Sequence, residues 1–411
     1  MRRPSRRAVL GLLGGGAAAL GGARWLLPLS QRPGPVRSAA DLSSAAQALV
    51  RAAFDGVVAA RVWDSHAHLV GLGTGGTGAD IDPEMRSHLH PWKRLQFDVY
   101  MAASGVSDLD RADEQFLERL LALHRAANPA GKLLLLAFDR RVDEGGAEEP
   151  GRSPFYVPDE CVLSIARREP DVVACASVHP YRKDALARLE AAAEGGARAV
   201  KWLPNAQGID PASPRCDAFY ARLSALGLVL ISHTGIERAV DAAEDQELGN
   251  PLRLRRALER GVRVVAAHCA TLGRARDLDR PERGTVPGLD LFLRLAREPG
   301  TEGLLFGDLS AVTQVNRSAE ALRTLLTAGD LHPRLVNGSD YPLPSIDLLI
   351  STRLLVHRDL VAAEERAPLD EIFEANALLY DFVLKRRLRV PGAAGSAAFA
   401  PRVFESARLF A

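Results

Sequence analysis

His66 and His68, in Val62-Trp63-Asp64-Ser65-His66-Ala67-His68-Leu69, are spaced for metal chemistry. Side chains of a β-strand repeat direction every two residues, so an H-x-H pair at a strand end aims both imidazoles the same way. Convergent imidazoles suit a divalent ion such as zinc, which takes nitrogen ligands at about 2.0–2.1 Å. Taken alone, the pair could equally be two hydrogen-bonding histidines at a sheet edge. Four further groups follow apolar runs in the same way: Lys201 in Ala199-Val200-Lys201-Trp202-Leu203-Pro204, His233 in Ile231-Ser232-His233-Thr234-Gly235, His268 in Ala266-Ala267-His268-Cys269 and Asp340 in Gly338-Ser339-Asp340-Tyr341-Pro342.

Histidines from the first and fifth runs with the Asp340 carboxylate would make a nitrogen-rich metal site that leaves a position for water. A metal there brings the pKa of water toward about 7. Asp340 could both ligate and take the water's proton. His268 could ligate a second metal or polarise a carbonyl. Lys201 has two readings: deprotonated and carboxylated it would bridge two metals, and as a cation it would bind a substrate carboxylate or carbonyl. His179, followed by Pro180, reads as a capped loop histidine, and His88 and His90 as surface residues. Asn376 reads as a helix-end contact.

Positioning these groups requires strands whose ends share one face. Eight short apolar runs, Arg61–Asp64, Lys132–Phe138, Asp171–Val178, Ala197–Trp202, Leu228–Ser232, Val262–Ala267, Leu304–Leu309 and Arg334–Gly338, read as strands. Segments of helical period lie between them, such as Asp184–Glu194, Cys216–Leu226, Leu289–Arg297 and Ala319–Leu326. Uniformly apolar strands fit a parallel sheet covered on both faces. Eight β/α units predict an α/β fold, a distorted (β/α)8 TIM barrel with the metal site at the C-terminal ends of the strands. Five of the 10 histidines sit just past a predicted strand, a placement chance explains poorly. An open doubly wound sheet is the rival, but no G-x-G-x-x-G opens a helix after the first strand. The glycine-rich run Gly71–Gly78 lacks the Lys-Ser/Thr of a phosphate loop and reads as a mobile loop over the barrel mouth, in an insertion at about 70–110.

The chain has 411 residues, 47% hydrophobic and 25% charged, with a formal net charge of +1. That balance excludes a strong field for nucleic acid or an anionic membrane. Four cysteines without a C-x-x-C argue against a disulfide framework or a thiolate metal site. The N-terminus is different. Ser5-Arg6-Arg7-Ala8-Val9-Leu10 leads into an uncharged Gly/Ala/Leu stretch from Gly11 to Gly22, the pattern of a twin-arginine (Tat) export signal. Cleavage near Ala23 would release the chain, whereas Trp25-Leu26-Leu27 could extend an uncleaved membrane anchor. Residues 1–40 are accordingly assigned to signal and linker, 41–390 to the barrel and 391–411 to a C-terminal tail. An exported, periplasmic or outer-face location and the Tat machinery as partner follow as expectations.

In this order, Asp64-Ser65-His66-Ala67-His68, the Lys201 segment with its Lys-x-x-Pro context, Ser232-His233-Thr234-Gly235, Ala267-His268-Cys269, Gly338-Ser339-Asp340-Tyr341-Pro342 and Asn376-Ala377-Leu378-Leu379-Tyr380 resemble the amidohydrolase superfamily. The resemblance spans residues 62 to about 385 and is strongest to the branch holding aminocarboxymuconate-semialdehyde decarboxylase, resorcylate decarboxylases and dicarboxylate lactonases. It implies a distorted barrel with one or two divalent metals, usually zinc. His66, His68, His233 and Asp340 would hold metal, while His268 would act on substrate or bind a second ion. Lys201 lies where dihydroorotases carry a carboxylated bridging lysine, although single-metal members share its context. The export signal and glycine-rich insertion depart from the branch's cytoplasmic catabolic enzymes, so their substrates do not transfer.

The expected activity is hydrolysis of an amide, lactone or ester bond in a small molecule by metal-activated water. Non-oxidative decarboxylation of an aromatic or enoic acid is the alternative, with His268 or Asp340 protonating carbon. A non-catalytic exported binding protein is the third. A homodimer is compatible with such a barrel. The loops expected to set specificity are Val70–Trp92, Arg140–Pro158 and Leu272–Pro287.

Overall fold

Eight strands, each hydrogen-bonded in parallel to the next in chain order, form the central sheet of the computed structural model, which describes residues 31–411 except 241 and 392–394. They are β1 (Asp64–His68), β2 (Leu133–Leu136), β3 (Val172–Ala176), β4 (Ala199–Trp202), β5 (Val229–His233), β6 (Val264–Ala267), β7 (Leu305–Asp308) and β8 (Leu335–Val336). The ring closes between first and last strands: Ser65 N donates to Asn337 O at 3.1 Å, Asp340 N to His66 O at 2.7 Å and His68 N to Tyr341 O at 3.0 Å. The α/β barrel is therefore the one expected. The twin-arginine segment lies outside the described residues.

Period-two alternation sorts each strand into an inner and an outer face. Leu134 and Leu136, Ala199, Val229 and Ile231, and Val265 and Ala267 fill the barrel, while Leu133, Leu135, Val200, Trp202, Leu230 and Val264 pack outward against the helices. Continuing the inner parity along β4 and β5 leads from Ala199 to Lys201 and from Ile231 to His233. The helices obey their own period. In Ala112–Ala127, Phe116, Leu120 and Leu123 form one buried stripe. Ser318 Oγ caps Ala319–Thr327 by accepting from Ala321 N at 3.0 Å, and Gly227, at φ +67°, ends Asp217–Leu226.

Two expectations about the chain's edges change. β1 runs through His66 and His68 rather than ending before them, because the strand's partners on both sides, Leu135 and Leu136 on β2 and Tyr341 after β8, hold it in register that far. Within the segment assigned to a tail, residues 406–410 join the barrel: Leu409 and Phe410 enter the inner cluster with Trp63 and Val336, and Ser406 Oγ donates to Asn337 O at 3.1 Å. At the other end, the linker before residue 40 is docked, with Arg37 N on Ala375 O at 3.1 Å and Arg119 Nη1 on Gly34 O at 2.8 Å. No helix among the described residues is long and apolar enough to cross a membrane.

The glycine-rich loop is pinned instead of mobile. Asp113, buried at the start of its helix, accepts from Leu72 N at 2.6 Å, Gly73 N at 3.1 Å and Thr74 Oγ1 at 3.0 Å, and also from Thr77 Oγ1. An internal carboxylate thus occupies the ring of donors that a phosphate would need. The helix Pro91–Ala103 completes the insertion. It crosses to the mouth, where Tyr100 Oη donates to Ala239 O at 3.1 Å.

Candidate metal centre

Every polar group singled out after a strand, apart from His179, meets at the C-terminal mouth. His66 is fully buried and most constrained. Its Nδ1–H donates to Asp308 Oδ2 at 2.7 Å, which fixes the tautomer and leaves Nε2 with its lone pair. That Nε2 lies 3.0 Å from Lys201 Nζ, 3.3 Å from His68 Nε2 and 3.4 Å from Asp340 Oδ1. His68 Nε2 is also 3.4 Å from Asp340 Oδ1. Ligand atoms of His66, His268 and Asp340 all fall within 4.8 Å of one another.

The other imidazoles are oriented in the same manner. His268 Nδ1–H faces Ser310 Oγ at 2.7 Å and Ser310 O at 3.1 Å. His233 Nδ1 faces Glu237 Oε2 at 3.4 Å, and its Nε2 is buried without a partner. The rings of His233 and His268 are 5.0 Å apart, and those of His268 and His66 are 5.2 Å apart. His66 and His268 are thus held to protein through Nδ1, the arrangement of ligating histidines fixed by outer hydrogen bonds, and His233 Nδ1 lies on the side of Glu237. His68 Nδ1 is a further buried orphan. Imidazole nitrogens with one carboxylate are the donors a divalent transition metal prefers, and the orphaned His233 Nε2 is an atom such an ion would satisfy.

Asp308, at the end of β7, belongs to this cluster although its segment was not singled out from the sequence. Its Oδ1 accepts from His268 N at 2.8 Å and Ser310 N at 3.0 Å, as well as from Ser310 Oγ. One buried carboxylate thus ties β1, β6 and β7 together. The signal was present, since Gly307-Asp308-Leu309-Ser310 follows an apolar run as the other segments do. Glu237 and Ser310 were missed as well, for they lie in loops beyond the strand ends.

Electrostatics reinforce this reading. Burial pushes the Asp340 carboxyl upward, but the imidazoles of His268, His68 and His66 outweigh it and hold the group well below the usual carboxylate range. Asp308 is held down in the same way by His66, with His268 and Ser310 assisting. Burial lowers the imidazole of His68 to about 4 and that of His268 to about 3, so both rings are neutral and able to ligate at pH 7. Burial also lowers Lys201, which is 1% exposed, against the pull of Asp340 and Asp308.

Local backbone shape sets the last angles. His268, Cys269 and Ala270 have φ of 60°, 49° and 51°, and Asp340 has φ 65°, left-handed conformations that cost side-chain-bearing residues energy and concentrate at functional sites. Thr234 steadies the first of these bends, with its Oγ1 donating to Ala267 O at 2.6 Å and accepting from Ala270 N at 3.0 Å. Gly338 lets β8 approach β1, since a Cβ there would stand 2.6 Å from that of His66.

The groups open into a cleft of about 560 Å³. Its polar floor is His68, Lys201, His233, Glu237, His268 and Asp340, and its walls include Val70, Tyr100, Phe155, Leu203, Val240 and Leu343. Of the loops expected to set specificity, the first two contribute Val70 and Phe155, whereas Leu272–Pro287 folds into a ribbon that supplies no lining residue. His179 stands apart: its Nε2–H donates to Gln207 O at 3.0 Å and its Nδ1 accepts from Tyr181 N at 3.2 Å, a structural loop histidine. His90 is a surface residue 3.5 Å from Glu84. Asn376 caps the helix Ala377–Arg387 through Leu378 N and Leu379 N, both at 3.0 Å. All four cysteines are free and buried.

The fold is similar to that of an uncharacterized TIM-barrel protein from Bordetella bronchiseptica, at 18% identity and TM-score 0.46 over 79% of this chain and 99% of the other. It is also similar to a putative 2-pyrone-4,6-dicarboxylic acid hydrolase from Pseudomonas putida (16%, TM-score 0.43, 78% and 97% covered). A third similar structure is 5-carboxyvanillate decarboxylase from Sphingomonas paucimobilis (12%, TM-score 0.46, 85% and 98% covered). Among curated proteins, none matches the chain. A family model for amidohydrolases matches residues 63–378, from the residue before β1 to the start of the last long helix, and so takes in every group of this centre. The chain belongs to the amidohydrolase family.

Proposed function

We propose that this protein is a metal-dependent hydrolase that adds water to the carbonyl of an ester, lactone or amide in a small molecule. The observation that carries the reading is the Asp340 carboxylate, held anionic 3.4 Å from both His66 Nε2 and His68 Nε2 at the floor of an apolar-walled cleft. His66, His68, His233 and Asp340 would hold the ion, with His268 beside them, and zinc fits this donor set. When bound, a divalent cation supplies Lewis acidity toward a carbonyl oxygen and makes water more acidic. Asp340 is the group placed to take the proton from water, because its neighbours keep it ionised at neutral pH. It can return that proton to the departing oxygen or nitrogen. His268, neutral and fixed by Ser310, presents Nε2 toward the substrate carbonyl. Lys201 supplies a buried amine beside His66, able either to pair with a substrate oxygen or, once carboxylated, to join the ligand set. Val70, Phe155 and Leu203 shield the reacting carbonyl from bulk water.

Export by the twin-arginine route, on the strength of Ser5-Arg6-Arg7, is proposed as the protein's route to its place of action. Elemental analysis of protein purified without chelator tests the centre, and a panel of aryl esters, lactones and anilides tests the chemistry. The expected outcome is one to two zinc equivalents per chain, with acid release that chelation abolishes and zinc restores. Absence of tight metal, or release of carbon dioxide from aromatic acids without cleavage of any ester, lactone or amide, would overturn the proposal.

A further inference from the structure

Arg317 lies in the segment between β7 and the helix Ala319–Thr327, seven residues beyond the Ser310 that orients His268. It is only 7% exposed, yet its Nε and Nη1 are buried with no hydrogen-bond partner among the described residues. The backbone around it is anchored: Arg317 N donates to Gln314 O at 3.0 Å, and Arg358 Nη1 to Arg317 O at 3.2 Å. Gln314 Nε2, in the same turn, is a second buried donor without a partner. A buried guanidinium left unpaired is costly, and native proteins almost always give such groups a partner. The charges acting on this one are those of the site. Burial draws its pKa down to about 10 against the pull of Asp340, Glu237 and Asp308, so the group stays cationic at pH 7. Those three carboxylates stand at or just past β5, β7 and β8, and Arg317 itself lies in the loop that leaves the C-terminal end of β7. Three arginines that follow β2 and β3 are already engaged: Arg140 with Asp80, Arg141 with Asp245 at 2.7 Å, and Arg182 with Asp139 at 2.6 Å.

We propose that Arg317 is the anchor for a carboxylate on the substrate, so that the molecule hydrolysed at this centre is an anionic ester, lactone or amide. The Arg317 fork suits two-pronged pairing with a planar carboxylate, and Gln314 adds a neutral donor from the same turn. The carboxylate would fix the acid end on the β7 side while the reacting carbonyl meets His268 and Asp340. The inference rests on the hydrolytic reading for its reaction but not for its binding.

The experiment measures binding without turnover. Calorimetric affinities for dicarboxylates from malonate to isophthalate, each paired with its uncharged diamide, are compared for the wild type and for R317M and R317K, all as zinc-loaded full-length protein. The wild type should prefer at least one dicarboxylate over its diamide. R317M should lose about 10–100-fold of that affinity with zinc content and diamide binding unchanged. R317K, which keeps the charge but not the fork, should retain part of it. Equal binding of acid and amide by the wild type overturns the proposal without any variant, as does R317M binding the preferred dicarboxylate within twofold of wild type. Loss of thermal stability in R317M with the acid-to-amide ratio intact would show a charge that only balances Asp340 and Glu237, and would overturn it too. Protein that hydrolyses nothing yet loses dicarboxylate binding on R317M would refute the hydrolytic reading while upholding the carboxylate site.

Discussion

Replacing Asp308 by Asn changes one atom and should disable the centre through His66. In the wild type, Oδ1 accepts from His268 N, Ser310 N and Ser310 Oγ, while Oδ2 takes the Nδ1 proton of His66 at 2.7 Å. An amide has one oxygen and one NH2, and three donors on the Oδ1 side demand the oxygen there. The NH2 must then face His66 Nδ1, which can accept only if the ring's proton moves to Nε2. That is the nitrogen facing Lys201, His68 and Asp340, so its lone pair is lost to any metal. Changes to groups that orient a ligating histidine typically cost 10–100-fold in metal affinity, about 1.4–2.8 kcal/mol. D308N should lie at the upper end, because it reverses the tautomer rather than merely loosening the ring. The assay is competition for zinc against a chelator of known affinity, with the unfolding midpoint of the metal-free protein as control for folding. Zinc affinity and kcat/KM both within twofold of wild type would refute the argument that Asp308 sets the His66 tautomer.

Asp113→Ala should free the glycine-rich loop, removing four hydrogen bonds to a buried carboxylate and destabilising the protein by roughly 2–4 kcal/mol. Hydrogen exchange at Leu72 and Gly73 should quicken, and unchanged protection there would contradict the pinning. Burial holds His179 neutral and lowers its pKa to about 4, with Arg182 and Arg141 acting in the same direction. The unfolded chain binds a proton near the ordinary value of about 6.5, so stability from this residue is complete above that pH and lost as pH falls toward about 4, by up to about 3 kcal/mol. An imidazole NMR titration of the folded protein with a His179 midpoint above 6 would show the reasoning wrong.

Period and punctuation along the chain determined much of this molecule. Apolar runs of strand length alternating with helical stripes specify β/α units, and eight of them fit a barrel, whereas the pairing of β1 with the segment after β8 decides closure over an open sheet. The same period of two placed Lys201 and His233 on the inner face, two residues beyond Ala199 and Ile231. Strand-end position likewise singled out His66, His68, His268 and Asp340, which the fold brings together at one mouth. What the sequence left open were partners chosen by three-dimensional approach. Asp308 touches residues about 40 and 242 positions away, Glu237 reaches the mouth from an irregular loop, and Ala407, Leu409 and Phe410 join the inner cluster with Trp63. Local sequence carries the direction of a side chain, whereas its tautomer, its charge and its partner are set by whatever other segments the closed barrel brings within hydrogen-bond reach.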